Sequence, residues 1–169
     1  MNHSLVIADN LSYKINESKL FSSLSFQLNK GECLHIKGSN GSGKSTLIRI
    51  ILGITNPSKG EIKTNIDEGI CYLGHKNALK SYLSVEDNIM LMGLLKHDKL
   101  KKYLETLSLK KFLDIKVANL SYGQQKKLAL LRIFMGNSNL IILDEPFVGL
   151  DLENQNILSA FLNNELIKE

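Results

Sequence analysis

The chain has 169 residues, of which 43% are hydrophobic and 22% are charged, proportions that fit one soluble globular domain with a buried core. Its formal charge of +4 favours an anionic ligand or surface only weakly, and no apolar run approaches the ~18 residues of a membrane span, so we expect any membrane role to involve a partner. The first residues lack the pattern of a secretory signal. The two distant cysteines have no metal-ligand spacing, which argues against zinc and indicates buried, reduced thiols.

The N-terminal quarter has the pattern of an antiparallel β structure. Leu24, Phe26 and Leu28 alternate with polar residues, which is the period of two that is typical of a strand. The sequence NKGE at 29–32 is a turn signal between two such runs. We therefore predict a hairpin-rich piece that leads into a further strand at 33–37.

The rest of the chain alternates helical and strand patterns. Leu47, Ile48 and Ile51 follow a glycine-rich loop at helical spacing, and a Ser84–Asp87 capping box opens another helix. The lysine-rich stretch 97–115 is interpreted as a solvated helical face, because no aromatic side chains are interleaved for nucleic-acid binding. Further predicted elements are a turn at 56–62, strands at 69–74 and 139–145, and helices at 121–135 and 152–167.

This alternation predicts an α/β fold with an antiparallel N-terminal part, a mixed core sheet and a small helical insertion. We predict one domain over 1–169. Within it, 1–76 and 119–169 form a nucleotide-binding core and 77–118 forms a helical subdomain.

The glycine-rich loop indicates a phosphate site. Residues 38–45, GSNGSGKS, fit the phosphate-binding loop pattern in full, between an apolar run and an amphipathic helix. Small residues let backbone N–H groups turn inward toward phosphate oxygens, and the helix N-terminus adds a positive dipole. We expect Lys44 to reach the β- and γ-phosphates, Ser45 to bind Mg²⁺ and Thr46 to contact the α-phosphate. The predicted loop residues are Gly38, Ser39, Asn40, Gly41, Ser42, Gly43, Lys44, Ser45 and Thr46.

A second half of the site is predicted where the apolar run 140–143 ends in Asp144 and Glu145. We expect Asp144 to hold Mg²⁺, usually through water, and Glu145 to act as general base on the attacking water. ATP and Mg²⁺ are therefore the expected cofactors.

The sequence LSYGQ at 120–124 resembles the LSGGQ signature of the ABC-type ATPases, at the expected place between the phosphate loop and the Asp-Glu pair. The resemblance implies an ATP-dependent head-to-tail homodimer. In it Ser121 and Gly123 of one chain close on the γ-phosphate held by the other, with Gln124 in the same nucleotide-facing set. Tyr122 stands where the signature usually has glycine, and we interpret it as tolerated.

Other positions extend the resemblance over about 5–151. Tyr13 occupies the place of the aromatic residue that stacks on adenine, although on its own it is an ordinary strand residue. Asp151 of GLD matches the D-loop at the dimer interface, and His75 of YLGH stands where most ABC ATPases have glutamine. The sequence around these positions is similar to that of the ATP-binding subunits of the heme exporters of cytochrome c maturation (CcmA type).

That resemblance implies a peripheral subunit on the cytoplasmic face of the bacterial inner membrane, working with two integral membrane subunits. The sequence indicates no residue as a heme ligand, and no nucleic-acid partner is expected. Another small ABC transporter, a soluble ABC ATPase of ribosomes or DNA repair, and a regulatory subunit that hydrolyses poorly remain open.

The sequence departs from the family pattern at its end. The family's last strand and switch histidine are expected roughly thirty residues after the D-loop, and neither is seen in the 169 residues. We accordingly expect ATP binding with slow turnover from these residues alone.

Overall fold

The computed structural model describes residues 4–66 and 69–167. These divide into two compact units, one up to Ile70 together with the chain from Glu165, the other Cys71–Asn164. Among the described residues, no helix has both the length and the apolar character needed to cross a membrane.

The first unit contains a three-stranded antiparallel sheet in the order β2-β1-β3, made of β1 (Ser4–Ile15), β2 (Ser18–Asn29) and β3 (Lys59–Thr64). Helix α1 (Lys44–Ile51) follows the glycine-rich loop and contacts β3. The predicted antiparallel N-terminal piece is thus confirmed. The buried apolar residues of this unit are Leu5, Val6, Ala8 and Leu11 of β1 and Leu47, Ile48, Ile50 and Ile51 of α1.

Strand β1 is bulged near its middle, where its pairing with both neighbours shifts register. Asn10 lies at the bulge with φ +50, and its N–H donates to Ser25 Oγ at 2.8 Å. Gly60 of β3 has φ +84 and lies so close to the Asp9–Asn10 backbone that a Cβ would collide with it. Glycine at this position lets β3 pass alongside the bulge.

Three predictions about this unit are wrong. Residues 33–37 do not form a strand, and Cys33 is exposed rather than buried. Their apolar pattern is genuine, but a strand needs a neighbour to complete its backbone hydrogen bonds. Within the described chain, these residues belong to no ladder. Conversely, 59–64 form β3, because that segment pairs with β1, although its sequence reads as part of a turn.

The second unit combines a two-stranded sheet with four helices among its described residues. Strands β4 (Ile70–Leu73) and β5 (Leu140–Leu143) pair with each other. The helices are α2 (Val85–Leu91), α3 (Leu100–Thr106), α4 (Tyr122–Met135) and α5 (Leu152–Ile167), with short 3₁₀ turns at Lys110–Phe112 and Val117–Asn119. The α/β class and the predicted order of these elements are confirmed.

Helix α4 forms the centre of the second unit's core. Its residues Leu128, Ala129, Leu130 and Leu131 are fully buried, which explains its almost unbroken apolar run. Phe134 stacks on Tyr103 of α3 with ring centroids 5.0 Å apart and meets Phe161 of α5 edge to face at 4.8 Å. The core therefore joins α3 and α5 to α4.

The capping box that predicts the start of α2 is present. Ser84 Oγ accepts from the Asp87 N–H at 3.0 Å, and Asp87 Oδ2 accepts from the Ser84 N–H at 3.1 Å. The Ser84 hydroxyl also donates to Asp87 Oδ2 at 2.6 Å, and this bond, followed by the one from the Ser84 N–H, lowers the pKa of Asp87. The division of 77–118 into a separate helical subdomain stays a prediction.

Candidate functional site

The first unit carries the phosphate-binding loop, which ends at the N-terminus of α1. Gly43 is the N-cap with φ +94, no side chain caps the helix, and its first turn has no acidic residue. The positive end of the helix dipole is therefore not offset by a carboxylate from its own first turn. Such an end is suited to an anionic ligand.

Lys44 lies over this loop. Its Nζ donates to the carbonyl oxygens of Gly38 at 2.8 Å and Ser39 at 2.9 Å. A lysine ammonium has three donors, and these two bonds keep the charge next to the loop. Phosphate oxygens are charged and therefore stronger acceptors, so a bound phosphate can replace the two carbonyls as the partner of Lys44.

An aromatic pair lies beside the same loop. Tyr13 of β1 stacks on Phe21 of β2 with ring centroids 6.3 Å apart, and the Phe21 ring packs next to Gly43. The structure thus brings the predicted adenine-stacking residue together with the predicted phosphate loop within one unit. Sequence reasoning missed Phe21, although its cross-strand position opposite Tyr13 follows from the hairpin register.

The second unit carries the acidic pair at the end of β5. The Asp144 N–H donates to the Leu73 carbonyl at 2.8 Å, which extends the β4–β5 pairing by one residue. Glu145 then adopts φ +52, the left-handed region that a residue with a Cβ rarely enters. Its half-exposed carboxylate lies 3.5 Å from His75, measured between Oε2 and Nδ1. His75 and Glu145, two of the predicted site residues, are therefore neighbours.

The segment after His75 is tied to the second unit's core. Arg132 Nη2 of α4 donates to the carbonyls of Asn77 at 3.3 Å and Ala78 at 3.4 Å. Buried Asn88 of α2 exchanges hydrogen bonds with the Lys80 backbone at 2.8 and 3.1 Å. These contacts connect the segment after His75 to both helices.

Cys71 belongs to this part of the core as well. Its Sγ lies 3.5 Å from the Arg132 carbonyl, and burial raises the pKa of the thiol, with Arg132 acting in the opposite direction. The raised pKa makes Cys71 a poor nucleophile. Its half-buried position comes closer to the predicted buried thiol than the exposed Cys33 does.

The signature residues form the start of α4. Ser121 is the N-cap, whose Oγ accepts from the Gln124 N–H at 3.3 Å, while the Ser121 N–H donates to Gln124 Oε1 at 2.8 Å. This capping box leaves the hydroxyl hydrogen of Ser121 able to donate elsewhere. A serine hydroxyl at a helix N-terminus offers a donor to an incoming phosphate.

Tyr122, which replaces a signature glycine, packs on the D-loop. Its ring covers Gly149 so closely that a Cβ there would collide with it. Tyr122 is still 45% exposed, so it covers Gly149 of the D-loop without being buried itself. Tyr122 thus occupies the space between the signature and the D-loop of one chain, while Ser121 caps α4.

Asp151 caps α5 and pairs with α4. Its Oδ1 accepts from the backbone N–H of Asn154 at 2.9 Å and from the Asn154 side chain, and its Oδ2 lies 3.3 Å from Lys127 Nζ. The bonds from the Asn154 backbone and side chain lower the pKa of Asp151, and Lys127 adds a smaller effect in the same direction. The D-loop carboxylate therefore has a structural role within its own chain.

Sequence reasoning missed a residue next to the acidic pair. Lys126 of α4 is fully buried, and its Nζ donates to the Glu145 backbone carbonyl at 3.3 Å. Two adjacent lysines, Lys126 and Lys127, indicate a solvated helix face when the sequence is considered alone. The apolar residues that follow at helical spacing show that Lys126 lies toward the core.

The chain is similar to known ABC proteins over most of its length. The family described as ABC transporter matches residues 21–148. The "Cytochrome c biogenesis ATP-binding export protein CcmA" of Dechloromonas aromatica is 36% identical over 94% of this chain and 85% of that protein. The protein of the same name from Legionella pneumophila strain Lens is 34% identical over 83% of this chain and 76% of its own length.

The fold shows the same likeness. A solved structure described as "Structure of ATP binding subunit of ABC transporter" superposes with a TM-score of 0.84 at 25% identity, over 96% of this chain and 75% of that one. The predicted ABC ATPase fold is therefore confirmed. The chain belongs to the ABC transporter family, as an ATP-binding and ATP-hydrolysing subunit.

Proposed function

We propose that this chain is the ATP-driven motor subunit of a bacterial exporter for cytochrome c biogenesis, and that heme or its carrier is the cargo. The observation that carries the proposal is the agreement between the site and the relatives. An uncapped helix N-terminus, its lysine and an aromatic pair lie together in a chain that is 36% identical to a cytochrome c biogenesis export protein.

ATP is bound in this proposal mainly by the first unit. Residues 38–46 hold the phosphate chain through backbone N–H groups and Lys44, and Tyr13 stacks on the adenine. The packing of Phe21 between Tyr13 and Gly43 supports this assignment, because it fixes the aromatic pair beside the loop.

Hydrolysis depends on the acidic pair. The hydroxyl of Ser45 and the carboxylate of Asp144 are hard oxygen ligands of the type that Mg²⁺ prefers, and bound Mg²⁺ offsets the charge of the phosphates. Glu145 accepts the proton of the attacking water. His75, which lies 3.5 Å from Glu145, helps to orient that carboxylate and to sense the nucleotide.

Two copies close head to tail on ATP in this account. Ser121, Gly123 and Gln124 at the N-terminus of α4 provide donors for the γ-phosphate held by the other copy. Asp151 lies in the D-loop at the interface between the copies. Closure and reopening then switch the exporter between two states.

The membrane partners are two integral subunits, and the chain binds them peripherally at the cytoplasmic face. The segment after His75 offers Tyr82, which is 68% exposed, together with the partly exposed Leu79 and Leu83. Arg132 connects this segment to α4, which begins at the signature residues, so a change at the signature can reach it within the second unit.

The test is a complementation experiment in the bacterium from which the gene comes. With the chromosomal copy removed, plasmid-borne Glu145→Gln protein should leave c-type cytochromes without covalent heme, whereas Lys111→Met, at an exposed lysine, should restore them. Both proteins should co-purify with two membrane subunits. Normal cytochrome c assembly without any functional copy would refute the proposed function.

A further inference from the structure

Lys126 is a lysine in an unusual environment. It lies in the first half of α4 and has 0% exposed surface, and it is among the largest fully buried side chains of the described residues. Lysine is almost never fully buried unless a partner compensates for the lost hydration. Lys127, the next residue, instead reaches out to Asp151.

The partner of Lys126 is a backbone atom of the acidic pair. Its Nζ donates to the Glu145 carbonyl oxygen at 3.3 Å. Glu145 has φ +52, a conformation that is disfavoured for a residue with a Cβ and persists where surrounding contacts hold it. The bond from Lys126 acts directly on the backbone carbonyl of this residue, whose side chain carries the carboxylate.

The charges around Lys126 are consistent with this placement. Burial lowers the pKa of Lys126, while Asp144 and Glu145 act in the opposite direction. Both the ammonium and the neutral amine carry N–H groups, so the bond to the carbonyl does not depend on the protonation state. The carboxylate of Glu145 lies 3.5 Å from a second titratable group, His75.

We propose that Lys126 is a positioning residue for Glu145: by holding the Glu145 carbonyl, it fixes the left-handed turn that directs the carboxylate toward the attacking water. This inference rests on the proposed role of Glu145 as general base. Lys126 itself touches neither ATP nor the water, so its loss slows the chemical step and leaves nucleotide binding intact.

Three variants test the role by steady-state ATP hydrolysis of the purified full chain. Lys126→Met keeps the length of the side chain and removes the donor, and kcat should fall roughly 10- to 100-fold with KM for ATP changed less than about 3-fold. Lys126→Gln is neutral but can still donate to the carbonyl, and it should retain most of kcat. Ile133→Val, at a buried site of the same helix, controls for lost stability and should leave kcat unchanged.

A second readout observes the contact itself. Glu145–Pro146 is the one Glu-Pro pair in the sequence, so ¹³C-carbonyl glutamate with ¹⁵N-proline gives a single directly coupled signal. That signal should shift in Lys126→Met and stay near its wild-type position in Lys126→Gln. If Lys126→Met does not fold, a dipolar coupling between lysine ¹⁵Nζ and this carbonyl in the wild type should be present.

The outcomes separate the two claims. An active wild type with equal kcat in Lys126→Met, or with Lys126→Gln as impaired as Lys126→Met, overturns the positioning role and leaves the proposed function standing. An unmoved carbonyl signal, or no dipolar coupling in the wild type, overturns it too. A folded wild type that hydrolyses no ATP overturns the proposed function, and the role of Lys126 with it.

Discussion

Several residues that the sequence assigns to the candidate site also cap helices of their own chain. Ser121 and Gln124 form a capping box, and Asp151 caps α5 while it pairs with Lys127. Motif residues that the family pattern assigns to the dimer interface are thus also part of the local structure of their own chain. Substitutions at these positions therefore affect stability as well as activity.

The pH dependence of stability should reveal the role of Asp151. Hydrogen bonds from Asn154 lower its folded-state pKa, so its charge stabilises the fold above the unfolded carboxyl pKa of about 3.9 and this contribution disappears as pH falls through the lowered value. Asp151→Asn keeps the capping oxygen and removes the charge. We expect its Tm to lie below that of the wild type near pH 7, with the gap closing below about pH 4. A gap of equal size at every pH would contradict this account.

At the scale of elements, the bulge of β1 depends on Gly60. Gly60→Ala should lower the free energy of unfolding by more than the ~1 kcal/mol of a positive-φ substitution, because its Cβ meets the Asp9–Asn10 backbone. Gly53→Ala is the matched control, since Gly53 has φ +70 and open space around it. Urea denaturation of both variants gives the comparison. Equal losses would mean that the collision contributes nothing.

The sequence predicts the elements well where local signals are strong. The hairpin β1–β2, the capped helices α2 and α4 and the bounds of α5 all follow from period and capping residues. The strand predicted at 33–37 and the missed strand β3 depend on which segments pair, a long-range property that no window of sequence contains. The burial of Lys126 is similarly decided by tertiary packing of α4.

The candidate site, too, has features that the sequence predicts and features that only the structure shows. Pattern and spacing select the phosphate loop and the acidic pair from the sequence, whereas the signature and His75 come from the resemblance to the ABC-type ATPases. The left-handed turn of Glu145, the Tyr13–Phe21 stack and the cap at Asp151 are visible only in the structure. Each of them depends on a partner from another element.

At the scale of the whole molecule, ligand binding should stabilise the fold. A ligand that binds the native chain alone adds RT ln(1 + [L]/Kd), about 2.7 kcal/mol at a hundredfold excess over Kd. MgATP should therefore raise the Tm of the wild type and leave Lys44→Met unchanged. Thermal unfolding by differential scanning fluorimetry measures both. An equal rise in the variant would place the nucleotide away from the phosphate loop.

The most direct test of the central claim is ATP turnover by the purified chain beside its Glu145→Gln variant. We predict measurable release of phosphate by the wild type, a loss in the variant of roughly 100-fold or more, as expected when a general base is removed, and ATP that stays bound and uncleaved in the variant. Equal rates in the two proteins, or no ATP bound by either, would contradict the assignment of this chain as an ATP-driven motor.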